Sequence, residues 1–406
     1  MLMLIPVIIL IVAGLIWRNS SKIFAFQCLF LTFIWGYAYE RVDLDWYERT
    51  YQAAGHQYSV VSLFLNEGLY KFICYICRSV GISFQGFLLL SSIICVCLLA
   101  SAISFFIDKN KCMIFSFLLI YPIIEYSIEI QGRIAFCLIF FAMRFLEKGK
   151  LRNIIKYLII VIIATGIHSS ALECIMFVVV PFIKGKRKVI VFLCTVLIIE
   201  WAGISIVGKI ISKIIVQYHM DITRIRYLSG KNVLGFGKAF GLLVWQIVAI
   251  FLAIWGMPMQ YKNKYNNMQK RSFPFLLKLQ WMVLFCFPLC YFNMIFFRAP
   301  RYFILLTYML FAYYLDGRKG RNVFLRIFVI VLFSFASVCF FDLRTFQGFY
   351  TWYIKYVLMS NRLFYNPTDL IFHMPILCLL WCWYYTLYGN KRRKFNFIVL
   401  LKRVLC

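Results

Sequence analysis

Charged residues are scarce in this sequence. Only 15% of the 406 residues are charged, whereas 63% are hydrophobic. A soluble domain of this length would be about one quarter charged and about half apolar. Long apolar runs recur along the whole chain, unlike the single N-terminal run of a secreted protein behind a signal peptide. The composition therefore predicts an all-α, polytopic integral membrane protein.

Acidic residues are the rarer charged type. The sequence has 15 Asp and Glu against 44 Lys and Arg, which gives a formal net charge of +29. In a soluble protein this excess would indicate nucleic-acid binding. Here the basic residues lie mainly in short clusters between apolar runs, and the positive-inside rule accounts for such clusters without any ligand. We therefore expect no nucleic-acid partner.

Metal-ligating patterns are also missing. The four histidines are scattered along the chain: His56, His168, His219 and His373. Most of the 15 cysteines lie inside apolar runs, where cysteine behaves as a small hydrophobic residue. Cys74 and Cys77 form a C-x-x-C pair, but no second pair or histidine has zinc spacing. We expect neither a metal nor another cofactor.

The apolar runs predict the membrane topology. A helix that crosses a bilayer needs about 20 mostly apolar residues. Runs of this kind predict roughly thirteen transmembrane helices: 2–17, 23–39, 86–107, 112–128, 133–146, 154–167, 170–183, 189–206, 239–257, 275–297, 301–315, 323–341 and 370–387. The apolar run 69–80 is shorter and is typical of an interfacial or re-entrant helix.

The loop charges predict the orientation. Basic clusters fall in alternate loops, which places those loops in the cytoplasm. The other face carries most of the acids and the longer loops, near 40–67, 207–238 and 342–369. Residues 1–390 are thus predicted as one transmembrane helical domain, and 391–406 as a basic cytoplasmic tail. Since loops usually carry the chemistry, the outer face is where a site is expected.

Arginines stand at two predicted outer helix starts. Arg133 opens one helix, and Arg298 and Arg301 open another, at a spacing that could share one helix face. A helix N-terminus has free N–H groups and a partial positive charge, so added arginines make a strong site for phosphate or diphosphate. Two structural alternatives exist for Arg133: its side chain could reach the lipid headgroups, or it could pair with Glu129.

Two further outer segments carry polar side chains. His168 opens a third predicted helix and is either a packing residue or functional. Ser170 and Glu173, which follow it, fit an S-x-x-E capping box. In the second long loop, Arg226 and its basic neighbours could hold an anionic lipid or lie on headgroups.

The first outer loop combines an acid with aromatic residues. Asp43, Tyr47 and Tyr51 recur at intervals of four, so on a helix they would share one face. Aromatic rings stack on sugars, and a carboxylate accepts hydrogen bonds from sugar hydroxyls. The alternative is an interfacial aromatic belt, to which Trp46 would also belong.

Several of these segments recur together in one family. They are Asp43-x-x-x-Tyr47-x-x-x-Tyr51, Asn66-Glu67-Gly68-Leu69-Tyr70, Arg133-Ile134-Ala135, Lys148-Gly149-Lys150, His168-Ser169-Ser170-Ala171-Leu172 and Arg298-x-x-Arg301-Tyr302-Phe303. In this order they make the chain similar to the EpsG family of bacterial exopolysaccharide polymerases, a branch of the Wzy-like membrane glycosyltransferases. One departure is that Arg41-Val42 stand where the family usually has a glycine before the loop aspartate.

The resemblance implies an activity and a location. Wzy-like polymerases join oligosaccharide repeat units carried on undecaprenyl diphosphate, at the outer face of the bacterial plasma membrane. The products are capsule, O-antigen or exopolysaccharide, and no metal is expected. The fold would resemble the C-type (GT-C) membrane glycosyltransferases. The partners would be the lipid-linked donor and acceptor, the lipid bilayer and a chain-length regulator protein.

The resemblance also suggests roles for the candidate residues. The diphosphate would be bound by Arg133, Arg298, Arg301 and Arg226, and sugars by Tyr47 and Tyr51. The catalytic candidates, one of which would be the general base, are Asp43, His168 and Glu67. His168 could instead hold the diphosphate, and the sequence leaves that choice open.

Two other functions fit the same features. An O-antigen ligase-type transferase would pass finished glycan to a different acceptor, and only its product would distinguish it. A flippase or transporter of lipid-linked oligosaccharide often shows internal repeats and charges at the membrane midplane. We find no convincing repeat, and the candidate charges lie at the outer edge, so the polymerase is the first hypothesis.

Overall fold

The computed structural model describes residues 4–38, 43–55, 63, 67–183, 236–255, 267–285, 298–315, 321–341, 355 and 367–389. Its helices are α1 (Leu4–Ile16), α2 (Ser21–Gly36), α3 (Leu44–Ala53), α4 (Gly68–Ser79), α5 (Phe84–Phe106), α6 (Lys111–Ile120), α7 (Ile123–Ile128) and α8 (Ile130–Leu146). They continue with α9 (Leu151–Ile167), a 3-10 helix (Ser169–Val179), α10 (Phe236–Trp255), α11 (Asn267–Met282), a 3-10 turn (Val283–Phe285), α12 (Arg298–Tyr314), α13 (Arg321–Phe341) and α14 (Pro367–Gly389). The described part of the chain contains no β-strand, which confirms the predicted all-α class.

Most predicted spans are helices in the structure. α1, α2, α5, α8, α9, α10, α12, α13 and α14 begin and end within three residues of the predicted bounds, as does α4. The observed helices tend to begin a little earlier, because the polar residues just before an apolar run form the first helical turn. The predicted span 189–206 lies outside the described residues.

Three predicted spans differ from the observed elements. The span 112–128 is two helices, α6 and α7, because Pro122 disfavours helical backbone at Tyr121, which is extended. The span 275–297 begins earlier, at Asn267, and its residues after 285 lie outside the described ones. The predicted span 170–183 corresponds to the 3-10 helix Ser169–Val179. The Ser170 hydroxyl contacts Nδ1 of His168 there, so Ser170 does not form the predicted capping box with Glu173.

One described helix, α5, is long and apolar enough to cross a membrane by length and composition. Shorter apolar helical segments accompany it: Ile5–Ile16, Ser21–Gly36, Lys111–Ile120, Ser169–Val179, Leu243–Leu252 and Val323–Val338. The number of thirteen transmembrane helices therefore stays a prediction.

The chain divides into two compact units. The first consists of Met1–His56, Lys71–Phe141 and Leu315–Cys406, and the second of Gln57–Tyr70 and Ala142–Tyr314.

Helix α2 forms the centre of the first unit, where it packs against α5 and α14. Gly36 lets α2 approach α5 closely, since a Cβ at this position would lie 2.9 Å from a methyl carbon of Leu89. The Thr32 hydroxyl lies 2.7 Å from the Tyr384 hydroxyl of α14. The Tyr388 hydroxyl donates to the Cys97 carbonyl of α5 at 3.0 Å. These pairs satisfy buried polar groups between the three helices.

A buried glutamine connects α1, α2 and α6 in the same unit. The Gln27 amide of α2 donates to the Cys112 carbonyl and the Ser116 hydroxyl of α6, both at 3.0 Å. It also lies 3.3 Å from the Leu10 carbonyl of α1. Gly14 leaves room for this arrangement, because a Cβ there would overlap the Gln27 and Ser116 side chains.

In the second unit, α9 packs against the 3-10 helix and α12 packs against α10 and α11. The Tyr157 hydroxyl donates to the Cys174 carbonyl at 2.7 Å, which joins α9 to the 3-10 helix. The Gln280 amide of α11 donates to the Thr307 hydroxyl of α12 at 2.9 Å. Polar contacts between helices fix their register here as well.

Candidate active site

Arg133 lies in the first turn of α8 and is completely buried. The helix begins at Ile130, three residues before the predicted start, and the Arg133 N–H donates to the Glu129 carbonyl at 2.8 Å. The side chain is 0% exposed. A positive charge therefore stands inside the first unit, at the end of the helix where the backbone dipole is also positive.

The contacts of the Arg133 guanidinium leave one edge unused. Its Nη1 donates to the Tyr126 carbonyl at 3.3 Å. Its central carbon lies 5.2 Å from the centroid of the Trp35 ring, which is a cation–π contact. Nε and Nη2 have no hydrogen-bond partner among the described residues. These two atoms carry the parallel N–H groups with which arginine binds two oxygens of one phosphate or carboxylate.

The two structural explanations considered for Arg133 do not fit this geometry. A side chain that reached the headgroups would be exposed, and this one is buried. Within the described part of the chain, the guanidinium makes no ion pair with Glu129 or another carboxylate. The Cys95 and Cys137 thiols lie near the guanidinium and interact with it electrostatically, but neither is a carboxylate. A buried charge without a carboxylate partner is costly, so a bound anion would stabilise this site.

Trp35 is the neighbour that the sequence did not single out. It lies near the end of α2, is 0% exposed, and stacks on Tyr126 with ring centroids 5.7 Å apart and an interplanar angle of 16°. Its indole Nε1 has no hydrogen-bond partner among the described residues. In the sequence it is one aromatic residue at the end of an apolar run, where packing is the ordinary explanation.

His168 lies between α9 and the 3-10 helix and is 4% exposed. Both backbone polar groups of His168 are hydrogen-bonded. Its N–H donates to the Ala164 carbonyl at 2.8 Å, and its carbonyl accepts from the Ala171 N–H at 3.0 Å. The Ser170 hydroxyl lies 2.5 Å from its Nδ1. The peptide groups and Ser170 therefore hold the imidazole in one orientation.

This contact favours one tautomer of His168. Ser170 is buried and has no other hydrogen-bond partner among the described residues. A buried hydroxyl that fails to donate is costly, so Ser170 donates to Nδ1. The neutral imidazole then carries its proton on Nε2.

Asp43 and Glu67 share an unusual backbone conformation. Each precedes a helix, Asp43 before α3 and Glu67 before α4, and each has positive φ, of 67° and 57° respectively. Residues other than glycine rarely adopt this conformation, although aspartate tolerates it better than glutamate. The exposed Asp43 carboxylate makes no capping bond to α3, so it is available to a ligand.

Tyr47 and Tyr51 lie on one buried face of α3, as their spacing predicts. Asp43 precedes the helix and is exposed, so the prediction that it shares this face is wrong. The Tyr51 side chain is 1% exposed, and its ring packs against Phe84 and Phe87. Burial, with smaller contributions from neighbouring cysteine thiols, raises the pKa of Tyr51 to about 12. The phenol therefore stays protonated and donates to the Ile82 carbonyl at 2.6 Å. The sugar-binding role of both tyrosines stays a prediction.

The other arginines are described less fully. Arg298 is the first residue of α12 and Arg301 the fourth, so their helical spacing is as predicted. The Arg301 side chain is partly buried. Arg226 lies outside the described residues.

The candidate residues fall into both units. The first unit contains Asp43, Tyr47, Tyr51 and Arg133, and the second contains Glu67, His168, Arg226, Arg298 and Arg301. In the described ranges, no group of three or more His, Cys, Asp or Glu side chains is arranged to hold a metal ion.

Comparison with known proteins gives one match. The model of a family described as the EpsG family matches residues 21–358, which is most of the chain. No curated protein and no solved structure matches the chain significantly.

Proposed function

The chain belongs to the EpsG family of Wzy-like polysaccharide polymerases, and we propose that it joins oligosaccharide repeat units carried on undecaprenyl diphosphate. The reaction takes place at the outer face of the bacterial plasma membrane and yields capsule, O-antigen or exopolysaccharide. The growing glycan leaves its lipid diphosphate and is transferred to the sugar of the next lipid-linked unit.

The observation that carries this proposal is the unused edge of Arg133. The donor in this reaction has a diphosphate leaving group, on which negative charge develops as the bond between the anomeric carbon and oxygen breaks. A preorganised cation in a dry site stabilises such charge without reorganisation. Arg133 supplies two parallel N–H groups and a positive charge at a helix N-terminus, and its buried charge has no carboxylate partner within the described residues.

The predicted topology supports an outward-facing site. The loop charges predict that α2 and α7 end, and α8 begins, at the outer face. Trp35, Tyr126 and Arg133 lie at these three ends and contact one another. Among the described helices, α5 alone has the length and apolar composition to cross a membrane. The presence of several transmembrane helices and a fold of the GT-C type are therefore part of the proposal.

Acid–base roles are part of the same proposal. The acceptor hydroxyl attacks the anomeric carbon of the donor, its proton passes to a carboxylate, and the diphosphate departs. We assign the base to Asp43, because its carboxylate is exposed and caps no helix; Glu67 is the second candidate. His168 is a further catalytic or diphosphate-binding candidate, and Ser170 positions its imidazole at Nδ1. Arg298, Arg301 and Arg226 are proposed to bind further phosphate oxygens, and Tyr47 and Tyr51 to line the sugar site.

The test compares lysine substitutions at both ends of α8. Arg133→Lys keeps the charge and loses the parallel N–H pair, so polymer formation should fall roughly a hundredfold, as for a lost transition-state donor. Arg144→Lys makes the same change in the last turn of α8, where Arg144 lies over the Phe145 ring, and should leave polymer formation near wild type. Both variants are expressed to equal levels in cells that make the glycan, and lipid-linked products are resolved on gels.

The products separate the competing functions. Single repeat units that accumulate on lipid at the outer face of Arg133→Lys cells support the polymerase. Full-length lipid-linked polymer that is not passed to its final acceptor indicates the ligase. Repeat units trapped at the inner face indicate the flippase. Unchanged polymer in Arg133→Lys would overturn the assignment of Arg133.

A further inference from the structure

The indole N–H of Trp35 is a buried donor without an acceptor in the described residues. The side chain is 0% exposed, and its Nε1 has no hydrogen-bond partner there. An indole N–H usually finds a partner when it is buried, because an unpaired buried donor is costly. The indole N–H can therefore donate a hydrogen bond to an acceptor atom of a ligand.

The unused donors of Trp35 and Arg133 belong to two side chains that are in contact. The guanidinium carbon lies 5.2 Å from the centroid of the Trp35 ring. Nη1 is anchored on the Tyr126 carbonyl, and the ring of Tyr126 stacks on Trp35. Two helices, α2 and α8, thus bring together three N–H donors: Nε and Nη2 of Arg133 and Nε1 of Trp35.

The chemistry of these donors selects the ligand class. All three are donors and one group is cationic, so the matching ligand is an anion rich in acceptor oxygens. A diphosphate ester offers oxygens on two adjacent phosphorus atoms. The parallel pair of Arg133 matches two oxygens of one phosphate, and a single donor beside it matches an oxygen of the other.

We propose that Trp35 is a diphosphate-binding residue, whose indole N–H donates to the diphosphate group held by Arg133. This inference rests on the proposed function and adds a second residue to its leaving-group site. The Trp35 ring also faces the guanidinium, so the same side chain positions Arg133 through its cation–π contact. Phenylalanine keeps an aromatic ring and lacks the N–H, which separates the two roles.

A matched tryptophan is available as a control. Trp381 in α14 also has a buried Nε1 without a hydrogen-bond partner among the described residues, and it stacks on Tyr385. It has no contact with Arg133 in the described structure. Trp381→Phe therefore makes the same chemical change away from the proposed ligand.

The experiment measures binding of farnesyl diphosphate, a short polyprenyl diphosphate, to the purified full chain in detergent by calorimetry. We expect Trp35→Phe to weaken binding about tenfold or more, as for a lost hydrogen bond to a charged group. Trp381→Phe should bind like wild type. If Trp35→Phe does not give folded protein, benzothienylalanine is incorporated at position 35, since it keeps a bicyclic aromatic ring and has no hydrogen-bond donor.

Further probes identify the part of the ligand that is recognised. Farnesol, which lacks the diphosphate, should bind equally to wild type and Trp35→Phe. Inorganic pyrophosphate should lose affinity in Trp35→Phe by the same factor as farnesyl diphosphate. An equal loss with vesicles of phosphatidylglycerol would indicate a headgroup site and would overturn the diphosphate assignment.

The binding data distinguish a failure of the Trp35 inference from a failure of the proposed function. If Arg133→Lys loses binding while Trp35→Phe binds like wild type, the role of Trp35 is wrong and the Arg133 site stands. If both variants bind like wild type, the leaving-group site itself is wrong. A loss in Trp381→Phe as large as that in Trp35→Phe would show a general effect of removing tryptophan, which also overturns the inference.

Discussion

The hydroxyl oxygen of Ser170 lies 2.5 Å from Nδ1 of His168, and both side chains are buried. The contact joins residues only two positions apart, but it forms because His168 is extended and stands before the 3-10 helix that contains Ser170. In an uninterrupted α-helix, two side chains at this spacing would not face each other. The break between α9 and the 3-10 helix therefore creates the pair that orients the imidazole.

The first prediction concerns Ser170 as a positioning residue. Ser170→Ala removes the donor to Nδ1, so the tautomer of His168 is no longer fixed, and we expect polymer formation to fall roughly three- to tenfold, the worth of one hydrogen bond. Ser170→Thr keeps a hydroxyl and should restore most activity. Ser169→Ala, a neighbouring hydroxyl deletion, is the control and should behave as wild type. Equal activity in Ser170→Ala and wild type would contradict the positioning role.

The second prediction tests whether His168 acts as a hydrogen-bond donor or as the general base. A glutamine side chain offers an amide N–H near the position of Nε2 but cannot accept a proton. If His168 is a donor, His168→Gln should retain clearly more polymer formation than His168→Ala, which should fall roughly a hundredfold. Rates are measured in membranes with purified lipid-linked repeat units. Equal loss in both variants would favour the base role instead.

The third prediction concerns the carboxylate base. Asp43→Asn keeps the size of the side chain and suits the left-handed backbone at φ 67°, so folding should be unaffected. Loss of a general base should lower polymer formation by about a hundredfold or more. Asp45→Asn, in the first turn of α3, is the matched control. If Glu67→Gln is inactive and Asp43→Asn is active, the base is Glu67.

The fourth prediction tests the packing of α1 on α2 and α6. A Cβ on Gly14 would overlap Gln27 and Ser116 and lie 2.9 Å from the Cys112 carbonyl oxygen. We expect Gly14→Ala to lower the free energy of unfolding by about 1–3 kcal/mol, the usual cost of overpacking. Gly55→Ala has no atom within 4 Å of the new Cβ and should be neutral. Thermal denaturation in detergent compares the two, and equal midpoints would count against the close approach.

The fifth prediction distinguishes packing from sugar binding at Tyr51. Tyr51→Phe leaves the Ile82 carbonyl without its phenol donor, so stability should fall by about 1–3 kcal/mol. The polymer formed per folded molecule should stay near wild type at low temperature, since the hydroxyl is already used within the protein. Thermal denaturation and the polymer assay are run on the same preparation. A selective loss of activity without a loss of stability would mean that the hydroxyl contacts sugar.

Much of the fold is local and could be predicted from the sequence. The length of each apolar run located most helices within three residues, because helix formation and burial both depend on neighbours in the chain. Two of the three differences arose at Pro122, which interrupts an apolar run, and in the polar segment at Asn267, which is helical without being apolar. Hydrophobicity alone carries no signal for either.

The sequence by itself determined the all-α class, the position of Arg133 in the first turn of a helix and the helical spacing of Arg298 and Arg301. Only the tertiary structure decided that Arg133 is buried, that its Nε and Nη2 lack partners in the described chain, and that Trp35 lies beside it. The physical reason is the distance along the chain. Trp35 and Arg133 meet through the packing of separate helices, and no local pattern records which face of one helix meets which face of another.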